Sequence, residues 1–158
     1  MTVQDFRTKF TAEKGFTLIE LLVVIGILAI LLAITLIAIN PARQFGQAND
    51  TKRRSDITQI LNAIGQYTAS NGGNLPTNLQ SASSSATAIN ETAFPTLCSQ
   101  LVPNYAPALP MDPNLTNSQA GTTCATGWDT GYSISRDSNN RITVSAPSAY
   151  SGPIQVTR

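Results

Sequence analysis

Hydrophobic residues fall into three regimes along this chain. From Phe16 to Ile39 they are nearly continuous, "FTLIELLVVIGILAILLAITLIAI", with Glu20 as the lone charge. A helix over that run spans roughly 36 Å, enough to cross a bilayer core of about 30 Å. Its apolar side chains favour insertion by roughly 5–10 kcal/mol, while one acid costs up to about 3 kcal/mol at the bilayer centre and less near its edge. The segment is therefore expected to insert despite Glu20. A cleavable secretory signal is the competing reading, but its apolar core runs only about 7–15 residues before an A-x-A-like site. This run is longer, and "AIAINPARQ" offers no good site of that kind.

The second regime is amphipathic. Ile57, Ile60, Leu61, Ile64 and Tyr67 recur at helical spacing and form one apolar stripe. Asn40-Pro41 lies between the two regimes and predicts a kink or local melting, because proline removes a donor and drives its predecessor out of the α region. Asn71-Gly72-Gly73 supplies residues that tolerate positive φ and ends the pattern. The expectation is one long, bent helix, wholly apolar and then amphipathic. Asp50, Lys52, Arg53, Arg54 and Asp56 precede the stripe and read as a solvated stretch. The stripe itself needs a partner surface, which only the C-terminal region can supply.

The third regime alternates. "GYSISRDSNNRITVSA" predicts two strands around an Asp137–Asn140 turn, and "PIQVTR" a third. "AFPTLCSQLV" predicts a short helix from near Pro95. "VPNYAPALPMDP" is too rich in proline for regular structure. "QSASSSATAIN", Gln80 to Asn90, reads as a low-complexity loop. The fold class is α+β: a long N-terminal helix, transmembrane and then amphipathic, packed on a small antiparallel β-sheet head.

Composition narrows the chemistry. The chain has 158 residues, enough for one modest domain, and a formal net charge of +1, which gives no reason to expect nucleic acid as a partner. Arg43, Lys52, Arg53 and Arg54 are better explained by a solvated helix face or intersubunit ion pairs than by DNA. Histidine is absent, which removes the usual general base and the commonest neutral metal ligand. With no G-x-S-x-G elbow either, no nucleophile–base pair assembles, and no enzyme activity is expected. Asp112, Asp129 and Asp137 are candidate calcium ligands, but their spacing matches no known loop of the EF-hand type, and Asp in turns is ordinary. No cofactor is therefore expected. Cys98 and Cys124 are most simply a disulfide in a head outside the cytoplasm, with two buried free thiols as the alternative. Trp128 and Tyr105 fit core packing better than an adhesive surface. Asn90-Glu91-Thr92 and Asn114-Leu115-Thr116 match the glycosylation acceptor pattern, which has meaning only where that machinery exists.

Glu20 remains to be explained. Thr17-x-x-Glu20 has the form of a capping box, which accounts for its position. A charge inside an apolar span otherwise calls for a partner, and no cation lies between Phe16 and Ile39. A cut after Gly15 would create one: the α-amine of Phe16, about one helical turn from Glu20. Where many such helices pack together, each Glu20 could neutralise an amine of its own or a neighbouring helix, and wrong axial registers would leave a charge unpaired.

These residues carry a specific resemblance. "KGFTLIELLVVIGILAILLAI" resembles the N-terminal motif of the type IV pilin superfamily, which includes type II secretion pseudopilins and competence pilins. The resemblance covers Lys14 to about Ile39 and implies a leader, residues 1–15, removed after Gly15 by a prepilin peptidase at the cytoplasmic face. It also implies N-methylation of Phe16, and assembly through Glu20 paired with the N-terminus of an adjacent subunit. The further boundaries are a filament-core helix at 16–39, an amphipathic half at 40–73 and a globular head at 74–158. The implied protein is a homopolymeric subunit, first single-pass in the cytoplasmic membrane and then in a surface filament, served by an assembly platform. A major pseudopilin of a secretion or DNA-uptake system is the alternative; "LVPNYAPALPMDP" followed by Gly131-Tyr132-Ser133-Ile134 is similar to a pattern of major pseudopilins and of some Gram-positive-type pilins. One departure is Ile37, where many pilins carry a helix-bending proline; Pro41 moves that bend toward the head. Without Arg7, Lys9, Lys14, Asp5 and Glu13 of the leader, the remaining acidic and basic side chains balance, which suits close packing of many copies.

Overall fold

A computed structural model describes residues 15–80, 84–116 and 124–158. The leader expected over 1–15 therefore lies outside the described residues, apart from Gly15. The chain divides into two compact units, Met1–Pro41 and Ala42–Arg158.

The first unit contains α1, Leu18–Ile39, none of whose residues is buried. It is long and apolar enough to cross a membrane. It ends where expected, at Asn40, whose φ of 46° is left-handed. Pro41 disfavours the right-handed helix at its predecessor, and asparagine tolerates the left-handed alternative better than most residues. Pro41 then opens α2, Pro41–Ser70, at the first helical position, where a missing N–H costs nothing.

In the second unit the stripe of α2 faces the core. Ile57, Ile60, Leu61 and Ile64 are buried, and Tyr67 packs half-buried against them. The helix stops at Asn71-Gly72-Gly73: the two glycines have φ of 65° and 90°, and the Gly73 N–H donates back to the Thr68 carbonyl at 2.9 Å. The covering surface is a four-stranded antiparallel sheet in sequential order. It comprises β1 Thr87–Asn90, β2 Asp129–Arg136, β3 Ile142–Ala146 and β4 Ile154–Thr157. β2 and β3 alternate inward and outward as their sequences predict, with Thr130, Tyr132, Ile134, Ile142, Val144 and Ala146 inside. A short helix, α3 Leu97–Leu101, buries Leu97, Cys98 and Leu101.

One element departs from expectation. Thr87–Asn90, inside the stretch read as a loop, is a strand paired to β2. Its register slips between Ala88 and Asn90, and Gly131 on the opposite strand has φ of 73°, the conformation of a bulge residue. The Thr130 hydroxyl donates to the Ile89 carbonyl at 2.9 Å across this irregular stretch. Trp128 lies in the core, and Tyr105 packs edge-on against Tyr67 with ring centroids 5.5 Å apart.

Candidate functional site

The site singled out by the sequence begins where the chain enters α1. Gly15, Phe16 and Thr17 are exposed and belong to no helix or strand. Thr17 is the N-cap, with extended φ and ψ of −78° and 153°. Its hydroxyl accepts the Glu20 N–H at 3.3 Å. The Glu20 carboxylate reaches back through Oε2, accepting the Thr17 N–H at 2.8 Å and the Thr17 hydroxyl at 2.6 Å. Both halves of a capping box are thus made, and the carboxylate sits at the positive end of the helix dipole. The geometry joins Glu20 to Thr17, and it leaves Gly15 and Phe16 exposed directly before the cap.

A second polar centre lies in the head, and sequence reasoning placed its residues in solvent. Arg53 is 1% exposed, and Asp50 and Asp56 are also buried. Arg53 grips Asp112 with Nε to Oδ2 at 2.7 Å and Nη2 to Oδ1 at 3.0 Å, and reaches Asp50 Oδ1 with Nη1 at 3.0 Å. Asp112 also accepts the Asn114 N–H at 2.8 Å. Asp50 accepts the backbone N–H groups of Tyr150 and Ser151, each at 2.8 Å. Tyr132 donates its hydroxyl to Asp56 at 2.8 Å. One guanidinium therefore ties α2 to the proline-rich loop, and through Asp50 to the turn before β4. The signal that reveals this burial is phase: Asp50, Arg53 and Asp56–Ile57 continue the Ile60–Ile64 stripe toward the N-terminus.

The electrostatics follow from these bonds. The hydrogen bonds that Arg53 donates to Asp112 outweigh burial and hold the Arg53 pKa above its usual value. Burial acts to raise the Asp50 pKa, but the donors from Tyr150, Ser151 and Arg53 prevail and lower it from 3.8 to about 2. Burial, and then the bond to Asp56, raise the Tyr132 phenol. All these groups are spoken for within the fold, and they form a clamp rather than a reactive centre.

The three aspartates considered for calcium have separate tasks. Asp112 holds Arg53, Asp129 accepts the Gly131 N–H at 2.9 Å, and Asp137 accepts both the Arg141 N–H at 2.8 Å and its Nε at 2.7 Å. Among the described residues, no three His, Cys, Asp or Glu side chains gather where they could hold a metal ion. Lys52 and Arg54 are exposed on α2, while Arg53 between them is not. Cys98 and Cys124 form a disulfide, tying α3 to the segment before β2.

No curated protein and no solved structure matches the chain. A family profile does: the prokaryotic N-terminal methylation motif matches residues 11–36, which contain Gly15, Phe16, the capping box and most of α1. That motif is the class III prepilin signal of type IV pilins and pseudopilins.

Proposed function

We propose that this chain is the precursor of a structural subunit of a type IV pilus-like surface filament. The observation that carries the reading is the methylation motif over residues 11–36, set on an apolar helix none of whose residues is buried among the described residues. A prepilin peptidase cuts between Gly15 and Phe16 and methylates the new amine. Before the cut the subunit is a single-pass protein of the cytoplasmic membrane. After it, α1 moves into the core of a homopolymer at the cell surface. Glu20 neutralises an N-terminal amine there, and the amine stands one residue before the Thr17 N–H that Glu20 already holds at 2.8 Å. Lipid tails are as apolar as leucine, so the transfer gains little hydrophobic energy. Packing and charge pairing contribute the rest, and an assembly platform supplies work. The subunit binds no cofactor and catalyses nothing.

Native N-terminal sequencing tests the core of this reading. A chain beginning at methylated Phe16 is expected, and one beginning at Met1 overturns it. The second reading, a major pseudopilin of a secretion or DNA-uptake system, draws on the Leu109–Pro113 segment, whose Asp112 the buried Arg53 anchors. Long surface filaments in electron micrographs favour the pilus, and short periplasmic assemblies tied to secretion favour the pseudopilus.

A further inference from the structure

Beyond α1, the described residues expose two large hydrophobic side chains, Phe45 at 71% and Tyr150 at 59%. They meet the same turn of α2. The Tyr150 ring lies against Gly46, where an added Cβ would stand 2.6 to 2.9 Å from three ring atoms. The backbone that carries the ring is anchored as well, since the Tyr150 N–H donates to Asp50, which Arg53 links to Asp112. A helical glycine and a buried ion pair thus hold an apolar ring that keeps most of its surface exposed. Packing within the head gives no reason for this.

The position along the chain gives one. Phe45 lies six residues past Ile39, the end of α1. Six residues reach at most about 20 Å, and the helical path from Pro41 shortens that to the order of 10 Å. The headgroup layer beyond the hydrocarbon core is roughly 5–8 Å deep on each side, and a helical side chain leans back toward the N-terminus of its helix, which shortens the remaining distance from the Phe45 backbone. Aromatic side chains favour this layer, where the ring meets acyl chains and a tyrosine hydroxyl meets water and headgroups.

We propose that Phe45 and Tyr150 form an aromatic seat in the headgroup layer on the head's side of the membrane, occupied by lipid while the subunit waits for assembly. The proposal rests on the reading of α1 as a membrane span. Leaving the seat is part of entering the filament.

Photocrosslinking of the full chain in vesicles of phosphatidylethanolamine and phosphatidylglycerol tests it. p-Benzoylphenylalanine replaces Leu28, Phe45, Tyr150 or Gln66, one at a time, and adducts are identified by mass. Gln66 is exposed on α2, about 31 Å of helix beyond Phe45. Lipid adducts are expected at Leu28, Phe45 and Tyr150, with Gln66 about tenfold lower. Adducts at Leu28 with none at Phe45 and Tyr150 overturn the seat and leave the span standing. No lipid adduct at Leu28 overturns the span and the seat with it. Adducts from Phe45 and Tyr150 to a second copy of the chain alone, or equal lipid labelling at Gln66, overturn lipid as the occupant.

Discussion

At Glu20, cap and counter-ion make different demands on one carboxylate. A cap needs an acceptor for the Thr17 N–H, which a glutamine also provides. A counter-ion needs charge, which a glutamine lacks. Glu20→Gln is therefore expected to insert and be cut normally but to enter filaments as poorly as Glu20→Ala, measured as the sheared filament fraction relative to total subunit. Incorporation of Glu20→Gln at wild-type level would reduce Glu20 to a helix cap. At Arg53 the question is one of buried charge. Arg53→Met leaves Asp112 and Asp50 without their cation and is expected to cost about 3–5 kcal/mol in urea unfolding. The double variant Arg53→Met, Asp112→Leu should lose less, because it strands fewer carboxylates. Asp50 makes the head sensitive to acid. Its folded pKa lies at about 2, below its ordinary 3.8, so its contribution is complete above the ordinary value and disappears as pH falls toward about 2. Trp128 emission should report a falling melting temperature between about pH 4 and about pH 2, and Asp50→Asn should flatten that slope.

Gly131 shows what an element asks of one position. Its φ of 73° disfavours any side chain, and a Cβ there would stand 2.9 Å from the Asp112 Cβ. Gly127 has φ of 84° with open space around it. Alanine at Gly127 is thus expected to cost about 1–2 kcal/mol from conformation alone. At Gly131 it should cost about 1–3 kcal/mol more, because it also pushes the Asp112 loop off β2. Equal losses in urea titrations of the two variants would mean that the loop yields freely. The same scale explains what the sequence could reveal. α1, α2, β2, β3 and β4 repeat a period long enough to be read, and Asn40-Pro41 and Gly72-Gly73 mark the helix ends. β1 could not be read, because "TAIN" offers one buried isoleucine amid small polar residues, and only pairing with β2 makes it a strand. The cap at Glu20 was legible because its partners are three residues apart. The clamp at Arg53 was legible only in phase, since Asp112, its counter-charge, lies 59 residues away with no local signal.

At the scale of the molecule, membrane insertion and head stability depend on different parts of the chain. Insertion is expected to depend on the apolar length of α1, which carries no cysteine and has no buried residue among those described. The head depends on a modest core crossed by the Arg53 clamp and by the Cys98–Cys124 bond, which closes a separation of 26 residues around the proline-rich loop. Such a closure restricts the unfolded chain and stabilises by roughly 3–4 kcal/mol in the chain-entropy model. Replacing both cysteines by serine should therefore lower the head's resistance to protease and urea by that order. It should leave the amount of chain retained in carbonate-washed membranes unchanged. Filament yield should fall less at low temperature than at high, because the subunit lost is the unfolded one and not one that failed to insert. Loss of membrane retention in the double serine variant would show that α1 does not anchor the chain by itself. Unchanged urea stability would show that the disulfide adds nothing to what the clamp at Asp112 already supplies.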